Sequence, residues 1–358
     1  MKKIILFVLL LIPFNVKGID TSARSAILMD LDSNRILYEK NIHEIRSVAS
    51  ISKIMTAVIA IESGKLDDTV VIGDEIKSAY GSGIYIQIGE KMKLRDLLYG
   101  LMLRSGNDAA IAIANYVGGS VDEFVMMMND KAKEIKMMNT TFNNPSGLDQ
   151  EKGNYSTAYD MAILTSYAMK LEDYKKITGT KKYTLSTNKN TYSWINKNKL
   201  LSLYKYTTGG KTGFTEIAKR TLVSTATKDN TNLVVVTLND GNDWKDHQNL
   251  FEYGFNNYAN LKILEKGDIT IYNDEYYNDY RLYIKNDYYY LISETEQDDL
   301  IFKYELEKKR KINNNDQIGL LNVYLGDKKL HEEKIYVSII DRKEKERILD
   351  KIKGWFKW

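Results

Sequence analysis

The stretch SVASISKIMTAVIAIE, Ser47–Glu62, carries the polar quartet Ser50-Ile51-Ser52-Lys53, followed by Ile54, Val58 and Ile61 at helical spacing. That period predicts a helix with Ser47 or Ser50 as the polar residue at its start. On a helix, residues three apart share a face, so a hydroxyl and an amine meet there. The quartet therefore reads either as a nucleophile with its own base or as a polar helix start that happens to hold a lysine. The same pattern recurs at Ser186 to Lys189 and at Ser202 to Lys205, in stretches rich in Asn, Thr, Lys and Tyr with no apolar helix behind them. Of the three serines, Ser50 alone stands where backbone N–H groups and the helix dipole favour a developing oxyanion.

A lysine serves as a base only if desolvation or a neighbouring cation lowers its pKa well below the usual ~10.4. Lys211-Thr212-Gly213, the only Lys-Thr-Gly in the chain, would place such a cation beside Lys53 and bind a substrate carboxylate. Gly209 to Thr215 reads as a strand or the approach to one, with glycines that let another chain come close.

The rest of the composition excludes several classes. A chain of 358 residues predicts one large domain and a smaller one. Its net charge of +3, with no block of like charge beside an aromatic stripe, gives no basis for nucleic-acid binding. With no cysteine there is no disulfide, thiol nucleophile or lipid-modified cysteine. His43, His247 and His331 are too scattered for a zinc site or a Ser-His-Asp triad, so each reads as a surface or packing residue, and no metal or cofactor is expected. Met1-Lys2-Lys3, the apolar run Ile4 to Val16 and small residues near Gly18 read as a secretory signal, residues 1–18, too short for the ~20 residues of a bilayer span.

Ser25 to Asp30 and Arg35 to Tyr38 read as a hairpin around Asp32-Ser33-Asn34. Leu94, Leu97, Leu98, Leu101 and Met102 mark a helical block that breaks at Ser105-Gly106-Asn107, the glycine marking the bend, and resumes from Ala109 to Val117. Ser120 and Glu123 form a capping box for the next helix, whose Met126 to Met128 read as core. Thr221 to Thr227 and Leu233 to Leu238 form a second hairpin. Beyond about Leu261, short strands at Asp268 to Tyr272, Tyr280 to Ile284, Tyr288 to Ile292, Leu300 to Leu306 and Leu320 to Leu325 predict a small all-β domain. From Lys343 to Trp358 the period is helical, with Ile348, Leu349, Ile352, Trp355 and Phe356 on one face among lysines; it reads as a helix lying on an anionic membrane surface, the alternative being a helix packed on its own domain.

Taken in order, Ser50-x-x-Lys53, Ser105-Gly106-Asn107 and Lys211-Thr212-Gly213 resemble the three motifs of the penicillin-recognising serine enzymes. The Ser-Gly-Asn form, with "LMDLDSNRILYEKN", "LMLRSGNDAAIAIANYVGGS", "NNPSGLD" and "GGKTGFTEIA", is similar to the low-molecular-mass penicillin-binding proteins that act as serine D-alanyl-D-alanine carboxypeptidases. The resemblance implies an α+β fold: a β-lactamase/transpeptidase-like catalytic domain over residues 19–258, a small β-sandwich over 259–340 and an amphipathic helix over 341–358. It implies that Ser50 attacks the carbonyl between the two terminal D-alanines and that Lys53 accepts its proton. Ser105 then relays a proton to the leaving amine, and Asn107 binds a substrate amide and steadies Lys53. Lys211 and Thr212 hold the terminal carboxylate at the Lys211-Thr212-Gly213 strand, and the N–H groups of Ser50 and Phe214 form the oxyanion hole. The implied partners are a peptidoglycan stem peptide ending in D-Ala-D-Ala, β-lactams as acylating inhibitors, and a membrane surface at the outer face of the cytoplasmic membrane. The rival readings are a β-lactamase and a catalytically silent peptidoglycan-binding protein. Val48 replaces a common proline, Ser146 a frequent histidine, and Ala218-Lys219-Arg220 a usual Ala-Gly-Tyr. Lys197 falls near a carboxylate-binding arginine of some relatives, one residue closer to Lys211.

Overall fold

The computed structural model describes residues 19–149, 153–271, 275–277 and 280–339. The expected signal at 1–18 and the expected amphipathic helix at 341–358 lie outside the described residues. By contact the chain divides into two units near Tyr253, with the turn Lys228–Asn232 grouped with the second.

The first unit is built on a five-stranded sheet in the order Ile36–Lys40, Ser25–Asp30, Thr231–Leu238, Lys219–Lys228, Thr207–Thr215. Ser25–Asp30 is buried along its whole length, which its continuous apolar run requires, and pairs antiparallel with Thr231–Leu238 from Ser25↔Leu238 to Asp30↔Leu233. Lys219–Lys228 turns into Thr231–Leu238 through Asp229 and Asn230, both left-handed (φ 49° and 61°), as a two-residue hairpin demands. The strand carrying Lys211-Thr212-Gly213 is the sheet edge. Gly210 there has φ 135°, and a Cβ on it would lie 2.1 Å from the Val223 carbonyl oxygen. Only glycine fits that approach.

Helix Lys53–Glu62 is buried from Lys53 through Ala60, because it is apolar nearly all round. Helices Leu94–Tyr99, Asn107–Gly118, Val121–Glu134, Ala158–Ala168 and Glu172–Gly179 all pack against it. Its start differs from the sequence expectation. Ala49–Ser52 forms a 3-10 turn, Ser52 is the N-cap without a capping bond, and its hydroxyl donates back to the Ala49 carbonyl at 2.8 Å. Neither Ser47 nor Ser50 caps the helix; Ser47 lies in the two-residue strand Arg46–Ser47.

The bend after the second helical block is also made differently. A π-helical turn, Gly100–Arg104, ends at Ser105, and it is Ser105 that is left-handed (φ 65°), while Gly106 has φ −60°. Gly106 is needed for space: a Cβ would lie 2.9 Å from Asp108 Oδ1 and 3.1 Å from Ile84. Ser120 accepts the Glu123 N–H at 3.1 Å as an N-cap. Of the methionine run, only Met128 is core; Met126 and Met127 are exposed, since three consecutive helical residues cannot share one face. Lys182–Ser186 and Thr191–Ile195 pair as a hairpin that polar composition hid.

In the second unit, Gly267–Ile269, Tyr280–Ile284, Lys328–Ile339, Gln317–Leu325 and Leu300–Leu306 form a five-stranded sheet in that order, and Ala259–Leu264 pairs with Tyr288–Ile292. Leu264, Leu282, Ile318, Val323, Ile335 and Val337 share one core. The strands Ala259–Leu264 and Lys328–Ile339 are absent from the sequence reading. In the latter, buried Glu333 breaks the apolar alternation; it accepts from Asn286 at 3.1 Å.

His247, on helix Asp243–Asn257, is fully buried against the central sheet, with Ser224 Oγ at Nδ1 and Thr237 Oγ1 at Nε2, the latter at 3.0 Å. Burial lowers its pKa from 6.5 to about 3. Between those values the unfolded chain takes up a proton that the folded chain refuses, so stability falls as pH drops through this window. Denaturant unfolding of wild type and His247→Gln at pH 7 and pH 4 checks this: wild type should lose ~2–4 kcal/mol more than the variant. Equal losses would remove His247 as the cause.

Candidate active site

The nucleophile turn is fixed from two sides. Thr221 Oγ1, on the strand next to the edge, donates to the Val48 carbonyl at 3.0 Å. A Cβ at position 213 would lie 2.4 Å from that same Oγ1 and 3.0 Å from the Ser50 nitrogen. Gly213 is therefore glycine so that the edge strand can press against the Ser50 turn. The motif's glycine positions the serine's own N–H.

Lys53 follows on the first turn of its helix, with no exposed surface. Its Nζ lies 3.0 Å from Ser50 Oγ, donates to Asn107 Oδ1 at 2.8 Å, and donates to the Ser146 carbonyl oxygen. Asn107 in turn donates through Nδ2 to the Tyr80 carbonyl at 2.7 Å, which fixes its amide orientation. Burial first, then the positive charges of Lys211 and Lys197, hold the Lys53 ammonium well below its ordinary 10.5. Asp108 opposes this with the smallest effect.

The left-handed conformation of Ser105 turns its hydroxyl to Lys211 Nζ, which donates to it at 3.1 Å and to the Thr212 carbonyl at 2.7 Å. Lys211 is buried as well, and burial together with the charge of Lys197 lowers its pKa to about 7. Each serine thus has its own lysine: Lys53 at Ser50 and Lys211 at Ser105.

The Ser146 carbonyl comes from the NNPSGLD loop, which the sequence marks only through its family resemblance and to which it assigns no role in the site. Asn144 Oδ1 accepts the N–H groups of Ser146, Gly147 and Leu148 at 3.1, 2.7 and 3.2 Å, closing a tight turn. Gly147 (φ 77°) lies so close to the nucleophile turn that a Cβ would stand 2.0 Å from the Ala49 carbonyl oxygen. Asp149 anchors the loop by accepting from Ser47 Oγ at 2.8 Å and from Thr215 Oγ1.

Ser50, Ser105, Thr212, Gly213 and Phe214 line one cavity of about 300 Å³, with Lys53, Asn107 and Lys211 buried beneath it. The seven motif residues and Phe214, which follows the last motif, are thus brought together. Lys197 joins them, 3.5 Å from Ser82 Oγ, and burial and the charge of Arg104 lower its pKa. Arg220, Asp243 and Trp244 complete the lining; the sequence marked Arg220 only as a departure in Ala218-Lys219-Arg220. The two other Ser-x-x-Lys matches lie elsewhere: Ser186 is exposed on a hairpin strand and Ser202 on the short helix Leu200–Leu203.

Residues 13–242 match the family profile described as D-alanyl-D-alanine carboxypeptidase, and residues 258–339 match that of the penicillin-binding protein 5 C-terminal domain. The chain is 41% identical over 220 residues to D-alanyl-D-alanine carboxypeptidase DacF of Bacillus subtilis, covering 60% of this chain and 56% of that one. It is 31% identical over 316 residues to D-alanyl-D-alanine carboxypeptidase DacA of Haemophilus influenzae, covering 83% and 78%. The crystal structure of penicillin-binding protein 5 from Haemophilus influenzae superposes with a TM-score of 0.74 at 29% identity, over 90% of this chain and 98% of that one. With its three motifs converging on one cavity, the chain belongs to the D-alanyl-D-alanine carboxypeptidase family of low-molecular-mass penicillin-binding proteins.

Proposed function

We propose that this chain is a serine D-alanyl-D-alanine carboxypeptidase that trims the stem peptide of peptidoglycan through an acyl-enzyme on Ser50, and that β-lactams acylate the same serine. The observation that carries this reading is the placement of Lys53 Nζ: 3.0 Å from Ser50 Oγ, fully buried, with neutral carbonyl oxygens as its two other partners. A neutral amine has two N–H groups and one lone pair. Asn107 and the Ser146 carbonyl take the two donors, which leaves the lone pair for the Ser50 hydroxyl proton.

Ser50 Oγ then bonds to the carbonyl carbon between the two D-alanines as its proton passes to Lys53 Nζ. The N–H groups of Ser50 and Phe214 receive the oxyanion, and Asn107 holds a substrate amide. The tetrahedral intermediate collapses by breaking the C–N bond. Ser105, hydrogen-bonded to Lys211 Nζ, relays a proton to the departing amine of D-alanine. Lys211 and Thr212 hold the terminal carboxylate of the substrate. Water, giving its proton to Lys53, cleaves the ester and frees the shortened peptide. We place the enzyme outside the cytoplasmic membrane, exported by residues 1–18 and held at the surface by the apolar and lysine-bearing face of Lys343 to Trp358.

Labelled penicillin should give a stable adduct on Ser50, and a peptide ending in D-Ala-D-Ala should release D-alanine. Rapid penicillin turnover means a β-lactamase instead, and neither reaction means a silent binding protein. Lys53→Arg cannot accept a proton, so acylation should fall by about 10³-fold or more; a permanent charge at this buried position also lowers the unfolding temperature, so acylation is compared at a temperature where thermal unfolding shows the variant still folded. In Lys211→Gln the loss of a neighbouring cation raises the Lys53 pKa, so the acid limb of the acylation pH profile should move to higher pH; an unmoved limb shows that Lys211 does not tune the base. Deletion of Lys343 to Trp358 should move the protein from the membrane fraction to the soluble one, and retention at the membrane refutes the anchor.

A further inference from the structure

Arg220 lines the catalytic cavity, yet none of the steps above uses it. Its guanidinium is held rather than free: Nε donates to Asp243 Oδ2 at 3.1 Å, Nη2 donates to Asp243 Oδ1 at 2.5 Å, and the group lies 5.7 Å from the centre of the Trp244 ring. Asp243 is itself buried and opens helix Asp243–Asn257. A guanidinium has five N–H donors, and the carboxylate takes two. Three remain on a planar group whose orientation is already fixed, with 43% of the side chain exposed. That is a preorganised donor set for a second carboxylate.

The strand register says which carboxylate. Thr212, which clamps the terminal carboxylate in the proposed reaction, pairs with Leu222, and Phe214 pairs with Arg220. Arg220 is thus displaced two residues, about 7 Å, from the clamp along the strand direction. A substrate lying extended against this edge strand advances at the same rise per residue. With its last residue at Thr212 and the scissile carbonyl at the Ser50 turn beside Gly213, the third residue from its end lies level with Phe214 and Arg220. We infer that Arg220, braced by Asp243 and Trp244, reads a side-chain carboxylate on the third residue from the end of the stem peptide, selecting a free acid there over its amide. This rests on the carboxypeptidase reading and adds a specificity determinant to it. Asp243 cancels most of the net charge of Arg220, so recognition comes from directed N–H groups rather than from long-range attraction.

Two synthetic peptides ending in D-Ala-D-Ala and differing only in a carboxylate or carboxamide at the third side chain test this with the full chain. Wild type should cut the carboxylate peptide with a kcat/KM about 10-fold higher, the worth of one charge-assisted pair. In Arg220→Gln that ratio should fall to near one, and in Arg220→Lys, which keeps the charge but loses the fork, it should lie between. Penicillin labelling of Ser50 reports whether each variant keeps a folded site. A wild-type ratio near one, or equal losses on both peptides in Arg220→Gln, overturns the inference and leaves Arg220 as a brace between strand and helix. Failure of wild type to cut either peptide would instead overturn the carboxypeptidase reading, and this inference with it.

Discussion

The structure turns on one amine that is fully buried and has no carboxylate bonded to it among the described residues. An ammonium taken out of water costs several kcal/mol even after relaxation unless a carboxylate pairs with it, and the partners of Lys53 are carbonyl oxygens and a hydroxyl. Asp108, whose charge opposes the lowering, does not rescue it. Asp108 spends its oxygens on the backbone N–H groups of Ile84, Tyr85, Ile86 and its neighbour Ala109, at 2.7 to 3.3 Å. Five helices packed against Lys53–Glu62 maintain the desolvation, so the apolar core that stabilises the first unit is also what favours a neutral base.

That dependence sets the tolerance of the backbone around it. Three segments far apart in sequence must meet at one cavity: the loop at Gly147 and the strand at Gly213 press on the Ser50 turn, and the bend at Ser105 lines the same cavity. Each approach is closed by a residue whose backbone permits it. Gly147 and Gly213 leave no room for a Cβ, and Ser105 accepts a left-handed conformation, which costs of order 1 kcal/mol or more for a residue other than glycine. The strain is what turns the Ser105 hydroxyl toward Lys211 rather than along the helix.

Much of this was legible in the sequence, for identifiable reasons. The helix behind Ser50 shows in its period, and the order of three short motifs singles Ser50 out from two decoys. The hairpins at Asp32 and Asp229 announce themselves through turn residues. Other features were hidden because they depend on partners distant in sequence. The Ser146 carbonyl reaches Lys53 across 93 positions, and a backbone oxygen leaves no residue-type signature. Gly106 drew the bend assignment because glycine favours positive φ, yet tertiary packing assigned that conformation to Ser105 and used the glycine for clearance. Lys328–Ile339 escaped because its charged residues obscure a buried alternation. Arg220 was visible only as an oddity within a familiar motif, until the strand register placed it opposite Phe214.

The cavity therefore contains two kinds of cation, and their chemistry divides the work. Lys53 and Lys211 are buried point charges on flexible stems whose protonation shifts with their surroundings, Lys211 to about 7. In the proposed reaction that is an asset at Lys53, which must take and return a proton, and a liability at Lys211, whose grip on the terminal carboxylate weakens as pH rises through that value. Arg220 cannot lose its proton in any ordinary range, and Asp243 fixes its plane. A recognition contact made there stays constant while the catalytic lysines titrate. Placing the cation that does not titrate on the half-exposed rim keeps that one contact apart from proton transfer, while the grip of Lys211 on the terminal carboxylate still follows pH. Exchanging the two kinds of cation would fail in both places: an arginine at 53 has no lone pair to offer, and a lysine at 220 has no fork to match a carboxylate.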